Sequence, residues 1–344
     1  MAISKLLLAL FIVSGLAAAS TDARTITDAA GRTVEVPDRV ERVLAAGPPA
    51  SVLVYVLAPD KLAGWVRQPG DAEKAYLLPS VRDLPTFGQL TGRGGTANIE
   101  AVLAARPDVI IDVGTVNPTY ASLADKVQEQ TGIPYVLIDG GFARSAEILR
   151  EAGDILGVSG RAEELAAYAE EKLKTLRDGL ASIPESARPK VYYGRGPEGL
   201  ETGLSGSINV EILEAVGATN VAAAAGKGGL TQVSLEQVLS WKPDIVLAAS
   251  PQFAARVKTD PLWADLDAVR TGKVYVAPGM PFGWFDSPPG INRLIGLAWL
   301  ETLFYPDTFR LDLDSEIRDF FKLFYQVDLT DRQVDDLTRG SGPT

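Results

Sequence analysis

The sequence predicts an α/β protein of two similar lobes. Each lobe is a mainly parallel sheet flanked by helices, one long helix joins them, and a ligand cleft lies between. Three observations carry this. A seventeen-residue passage is written twice: residues 98–114 read NIEAVLAARPDVIIDVG and 234–250 read SLEQVLSWKPDIVLAAS, gap-free and identical at five positions. Short apolar strands alternate with helical patterns in both halves, the signature of parallel sheets. Between the halves lies a sustained amphipathic stretch. Similar lobes imply a cleft between them, and a cleft implies a ligand.

The elements follow in order. Lys5, the apolar run Leu6–Leu16 and Ala17-Ala18-Ala19 read as a secretory signal peptide over residues 1–19. No cysteine follows the small residues, so lipidation is not expected and periplasmic localisation is. A first lobe is expected over 25–142. ITDAAGRTVEVP (26–37) reads as two short strands around a turn. Strands follow at 42–46 and 62–66, with a helix at 50–57 between them. The first repeat copy supplies an N-cap at Asn98, a short helix and a strand at 108–113. A helix at 120–131 and a strand at 135–139 complete the lobe. A connecting helical segment is expected over 143–187. Within it, residues 161–180 put Leu165, Tyr168, Ala169, Leu173, Leu176 and Leu180 on one face, spanning about 30 Å.

The second lobe is expected over 188–310. It has strands at 191–193, 245–248 and 274–277, and helices at 209–216 and 234–241. A closing helix at 288–304 is expected to start from Ser287 with Pro288 and Pro289 in its first turn. A C-terminal helical tail, 311–344, packs back onto a lobe.

Composition excludes much. The formal net charge is −11, which disfavours nucleic acid as a partner. There is no cysteine and no histidine, so neither a disulfide nor a histidine-based triad or metal site can form. With no candidate catalytic pair in the cleft loops, the protein is read as a binding protein, not an enzyme, without a resident cofactor or metal site. A periplasmic hydrolase with paired carboxylates is the distant alternative.

Ligands of open parallel sheets bind beyond the carboxyl ends of the strands. That rule selects Arg67, Arg93 and Arg195 for an anion, because a guanidinium fork suits carboxylates and oxyanions. It selects Trp65, Tyr193, Trp284 and Phe285 as walls, with Tyr193 preferred to Tyr192 because neighbours in a strand face opposite sides. At least one of Trp284 and Phe285 is expected to be exposed. Asp286 is read first as a local cap and second as a ligand contact. The glycine-rich loops at 92–95 and 226–229 are read as flexible turns. Glu100 and Glu236, one per repeat copy, favour their helix N-termini by charge alone. They could also form a matched pair for a two-fold symmetric partner.

In combination, ITDAAGRTVEVP…RVLAAG, NIEAVLAARPDVII, VSLEQVLSWKPDIVL and GKVYVAP resemble the periplasmic solute-binding proteins of ABC importers for ferric siderophores, haem and cobalamin. The resemblance covers the whole mature chain. It implies a monomeric, relatively rigid two-lobed receptor joined by a helix, which delivers a small-molecule metal chelate to a permease dimer in the inner membrane. It implies that Glu100 and Glu236 dock on arginines of that permease. RGPEGLETGLSGSINVE and PFGWFDSPPGINRLIGLAWL resemble a subgroup of iron-complex binders. Relatives that bind bare zinc or manganese use histidine, absent here, so a pre-formed complex or an oxyanion is expected. The leading expectation is an iron–siderophore or similar anionic chelate. The alternatives are cobalamin, haem or a metal oxyanion such as molybdate.

Overall fold

In a computed structural model, the structure describes residues 22–92, 95–339 and 341–342. The expected signal peptide lies outside them. An antiparallel hairpin, β1 (Ala23–Thr27) and β2 (Thr33–Pro37), precedes two separate parallel sheets. The first has the order β3 (Val43–Ala45), β4 (Val109–Gly114) and β5 (Tyr135–Asp139). The second has the order β11-β10-β6-β8, formed by β6 (Lys190–Gly194), β8 (Thr219–Asn220), β10 (Ile245–Ala248) and β11 (Val274–Val276). Between β6 and β10 a small antiparallel pair adds β7 (Glu201–Gly203) and β9 (Leu230–Gln232).

The duplicated passage folds alike in both places. Asn98 and Ser234 cap the helices Ile99–Ala105 and Leu235–Trp241 through their side chains. Both helices end on a left-handed residue, Arg106 and Lys242, each at φ 48°. Each anchors by one fully buried valine, Val102 or Val238. The repeated aspartate then locks the neighbouring strand. Asp108 Oδ2 accepts from Arg42 N at 2.8 Å, and Asp244 Oδ2 accepts from Lys190 N at 2.8 Å.

Strand alternation divides the core. Val109, Ile111 and Val113 of β4 and Val191 and Tyr193 of β6 face one continuous apolar core. Ile110 faces an outer layer under the helices Ile99–Ala105 and Pro118–Thr131. Tyr192, Val246 and Ala248 face a matching outer layer under Leu235–Trp241 and Pro251–Thr259. The inner faces of both sheets thus share one core. The helix between the sheets, Ser159–Leu180, buries Leu165, Ala166, Ala169 and Leu176 in it. At 1.5 Å per residue that helix is about 33 Å long. A second helix, Ser145–Leu156, packs beside it with Gly153 close against Ala162.

The tail packs on the first lobe. Tyr55 Oη donates to Tyr325 O at 3.0 Å, and Gln333 Nε2 donates to Ala75 O at 3.1 Å. Two expectations need correction. No strand forms at 62–66, where only single bridges at Leu62 and Trp65 occur. The closing helix runs Arg293–Phe304 rather than from residue 288. Ser287 has φ +62°, outside the helical region, and the chain turns helical only at Arg293.

Candidate functional site

Because both sheets are parallel, the carboxyl ends of β4, β5 and β6 open on the same cleft, a cavity of about 960 Å³ lined by both lobes. The first lobe contributes residues 47–49, Ser51, 65–67, Gln89, 91–92, 112–117, Tyr120 and 137–138. The second contributes Arg195, 206–209, 228–230, Phe282 and 286–289. Two helices begin at this rim. Pro48–Leu57 follows Gly47, and Pro118–Thr131 follows Asn117, whose Oδ1 accepts from Thr119 N and Tyr120 N. Helix N-termini carry partial positive charge, so an otherwise acidic protein presents a cleft that tolerates an anion.

Asp286 organises the second-lobe wall. Its side chain is buried and accepts three hydrogen bonds: Oδ2 from Tyr193 Oη at 3.2 Å, and Oδ1 from Asn209 Nδ2 at 2.8 Å and Ser287 N at 2.7 Å. Oδ2 is also ion-paired with Arg195 Nε at 2.9 Å. Most of the roughly four acceptor positions of a carboxylate are thus engaged, and Asp286 aims other groups, chiefly Arg195 and Asn209. Arg195 is also paired to Glu201 Oε1 at 2.9 Å. Its side chain is one-fifth exposed and lines the cleft.

The remaining expectations divide. Trp65 is core and floor at once: it is 2% exposed, donates to Val81 O at 2.7 Å and still lines the cavity. Arg67 lines the rim in a bidentate pair with Glu73 at 2.6 and 2.8 Å. Arg93 lies outside the described residues.

Tyr193, Trp284 and Phe285 do not line the cleft. Tyr193 faces the shared core and supports Asp286 from behind; burial, with the Asp286 carboxylate beside it, pushes its phenol well up, so it stays a donor. Trp284 and Phe285 are both fully buried, contrary to the expected exposure. The closing helix lies directly on their loop, with Gly296 so close to Trp284 O that a Cβ would stand 1.8 Å from it. Phe285 packs on Tyr193 with ring centroids 4.3 Å apart, and Phe282 takes the wall position instead. Asp286 does not cap the closing helix, which starts seven residues later.

Several cleft residues were not anticipated. The loops at 206–209 and 228–230 arrive through the β7–β9 pairing, bringing Ser207 and Asn209. In the first lobe, Asp112 is 6% exposed and accepts from Thr91 Oγ1 at 3.1 Å and Tyr135 Oη at 3.0 Å. Burial raises its pKa above the usual carboxylate value, against those two hydrogen bonds and one from Val113 N. The repeat held the signal for it: the aligned position in the second copy is Ala248. The fold needs no carboxylate there. Among the described residues, no group of three or more acidic side chains is placed to hold a metal ion.

Two lobes of parallel sheet with a cleft at the strand ends have the architecture of a solute receptor. Comparison with known proteins gives the family. Residues 56–280 match the periplasmic binding protein family, and the chain belongs to it. It is 29% identical to the molybdate-binding protein MolA of Haemophilus influenzae, over 94% of this chain and 97% of that one. It is 28% identical to the Fe(3+) dicitrate-binding periplasmic protein FecB of Escherichia coli, over 59% of this chain and 67% of that one. Among solved structures, an ABC transporter solute-binding protein from Sulfurospirillum deleyianum superposes with a TM-score of 0.82 at 30% identity, covering 92% of this chain and 99% of that one. MolA bound to molybdate superposes with a TM-score of 0.74 at 26% identity, covering 89% and 99%. The chain is thus a substrate-binding component of an ABC importer. Among the described residues no helix is long and apolar enough to cross a membrane.

Proposed function

We propose that this receptor captures a compact metal oxyanion of the molybdate class in the periplasm and delivers it, as a monomer, to an ABC permease dimer. The observation that carries this is the character of the cleft wall. Small polar side chains (Ser51, Thr91, Ser207, Asn209), the Arg195 guanidinium and two helix N-termini converge there, while Trp65 and Phe282 lie nearly flush. Such a lining suits a small, oxygen-surfaced anion better than an aromatic chelate that needs exposed rings for stacking. The near full-length similarity to MolA supports it. The metal enters as cargo, with its own oxygens around it, and no resident cofactor is required.

A second reading rests on the cavity volume. About 960 Å³ is within the range of drug-sized ligand pockets, and a ferric carboxylate chelate would fill more of it. Isothermal titration calorimetry with molybdate, tungstate, sulfate, ferric citrate and cobalamin separates the two. Molybdate or tungstate is expected to bind at least a hundredfold tighter than the others. Tight ferric citrate binding with a silent molybdate titration would replace the first reading by the second.

A further inference from the structure

Behind the cleft, outside its lining, lies a contact between the lobes. Arg293, the first residue of the closing helix, is 2% exposed, and its donors are met by protein atoms. Its Nη2 donates to Gly140 O at 2.8 Å, immediately after β5 of the first sheet. Its Nη1 donates to Ile208 O at 3.1 Å and is paired with Glu211, both of the second lobe. Its Nε donates to Gly290 O at 3.1 Å. Glu211 returns the link, because its Oε1 also accepts from Phe142 N of the first lobe at 2.8 Å. The guanidinium carbon sits 5.1 Å from the centre of the Phe142 ring.

A buried guanidinium is costly unless every donor finds a partner. Here the partners come from both lobes at once, so a change in the angle between the sheets would strip donors from a buried cation. The rigid fork of arginine suits this; a lysine could not reach opposite sides together. The contact also reaches the cleft. Ile208 precedes Asn209, which donates to Asp286, which in turn holds Arg195.

We propose that Arg293 and Glu211 form an interlobe latch, a positioning device that sets the angle between the two sheets and presents the 207–209 loop to the ligand in advance. The receptor is then preorganised, and binding requires little closure. The inference does not depend on which ligand the cleft takes.

The absence of cysteine makes the test direct. Spin labels at Gln130→Cys and Lys258→Cys, exposed positions on helices of opposite lobes, report the distance between lobes by double electron–electron resonance without ligand. The parent is expected to give one narrow distribution that molybdate leaves unchanged. Arg293→Lys and Arg293→Met should broaden it while circular dichroism remains that of a folded protein. Glu211→Gln, which keeps an acceptor for Phe142 N, should broaden it less. Molybdate affinity should fall at least tenfold in Arg293→Lys, although no residue lining the rim has changed. A parent that closes on ligand, or a folded Arg293→Lys with the parent's narrow distribution, overturns the latch. If Arg293→Met does not fold, Arg293→Lys decides. A parent that ignores molybdate would refute the oxyanion reading and leave the distance measurement intact.

Discussion

Asp112 is the residue whose chemistry is hardest to reconcile with an anion. It stands in the apolar strand VIIDVG, buried and rim-facing, where its structural counterpart is Ala248. Three donors point at it, but burial outweighs them and raises its pKa; wherever it is ionised, its charge opposes an anion in the cleft. Coulomb repulsion between unit charges about 5 Å apart at an effective dielectric near 20 is about 3 kcal/mol, which solvent and salt in the open cleft screen to about 1–2 kcal/mol. Asp112→Asn should therefore tighten molybdate roughly five- to thirtyfold, read by calorimetry, and should flatten the pH dependence of binding. Weaker binding would mean instead that Asp112 accepts a hydrogen bond from a protonated ligand. This residue was visible in the sequence as a carboxylate in a hydrophobic run, but only comparison with the other copy shows that the fold does not require it. The opposite lesson comes from Trp284 and Phe285. Proline and glycine around them announce a loop correctly, yet loop and exposure are different properties. Burial here is imposed by a helix that arrives later in the chain.

At the scale of one element, the closing helix holds a second buried acid. Glu301 is 3% exposed, and burial pushes its pKa from 4.5 up to about 8, with Lys172 pulling down and Glu316 pushing up. Lys172 itself pairs with Glu316 at 2.5 Å, tying the long helix to Leu313–Phe320. The folded state thus holds a proton that the unfolded chain releases above pH 4.5. Glu301's contribution is fully present below that value and is lost as pH rises through about 8. Glu301→Gln should leave stability at pH 5 nearly unchanged and raise it by about 2–4 kcal/mol at pH 9, measured by urea unfolding at both pH values. Equal pH profiles for the two proteins would show that solvent reaches the carboxyl. The boundaries of this helix show the limits of local signals. Ser287-Pro288-Pro289 has the composition of a helix start, but the chain there is committed to the cleft rim and turns helical only at Arg293. By contrast, the capped repeat helices and the alternation of Tyr192 and Tyr193 follow from short-range rules alone, and both were readable directly.

For the whole molecule, the duplicated helix is the feature that faces outward. Glu100 and Glu236 are both exposed, each in the first turn of an equivalent helix. We propose them as the matched contacts for the permease. Replacing both by alanine should abolish uptake in a reconstituted importer while ligand affinity stays within twofold of the parent. A parallel loss of binding would place them in the ligand site instead. The two-lobed plan was recoverable from the repeat because each copy is a local unit. The 206–209 and 228–230 loops were not, because they reach the cleft only through the β7–β9 pairing, which joins segments about thirty residues apart.

The shared core has a consequence for traffic at the membrane. If the latch holds, a receptor whose two sheets are packed against the same apolar interior would present nearly the same spacing between the proposed contacts Glu100 and Glu236 whether empty or full. The importer would then have little geometric basis for telling one from the other. Empty receptors would compete with loaded ones for the docking face, and the work of prying the ligand free would fall to the ATP-driven permease. Uptake would pass through a maximum, and then decline, as receptor is added at fixed ligand.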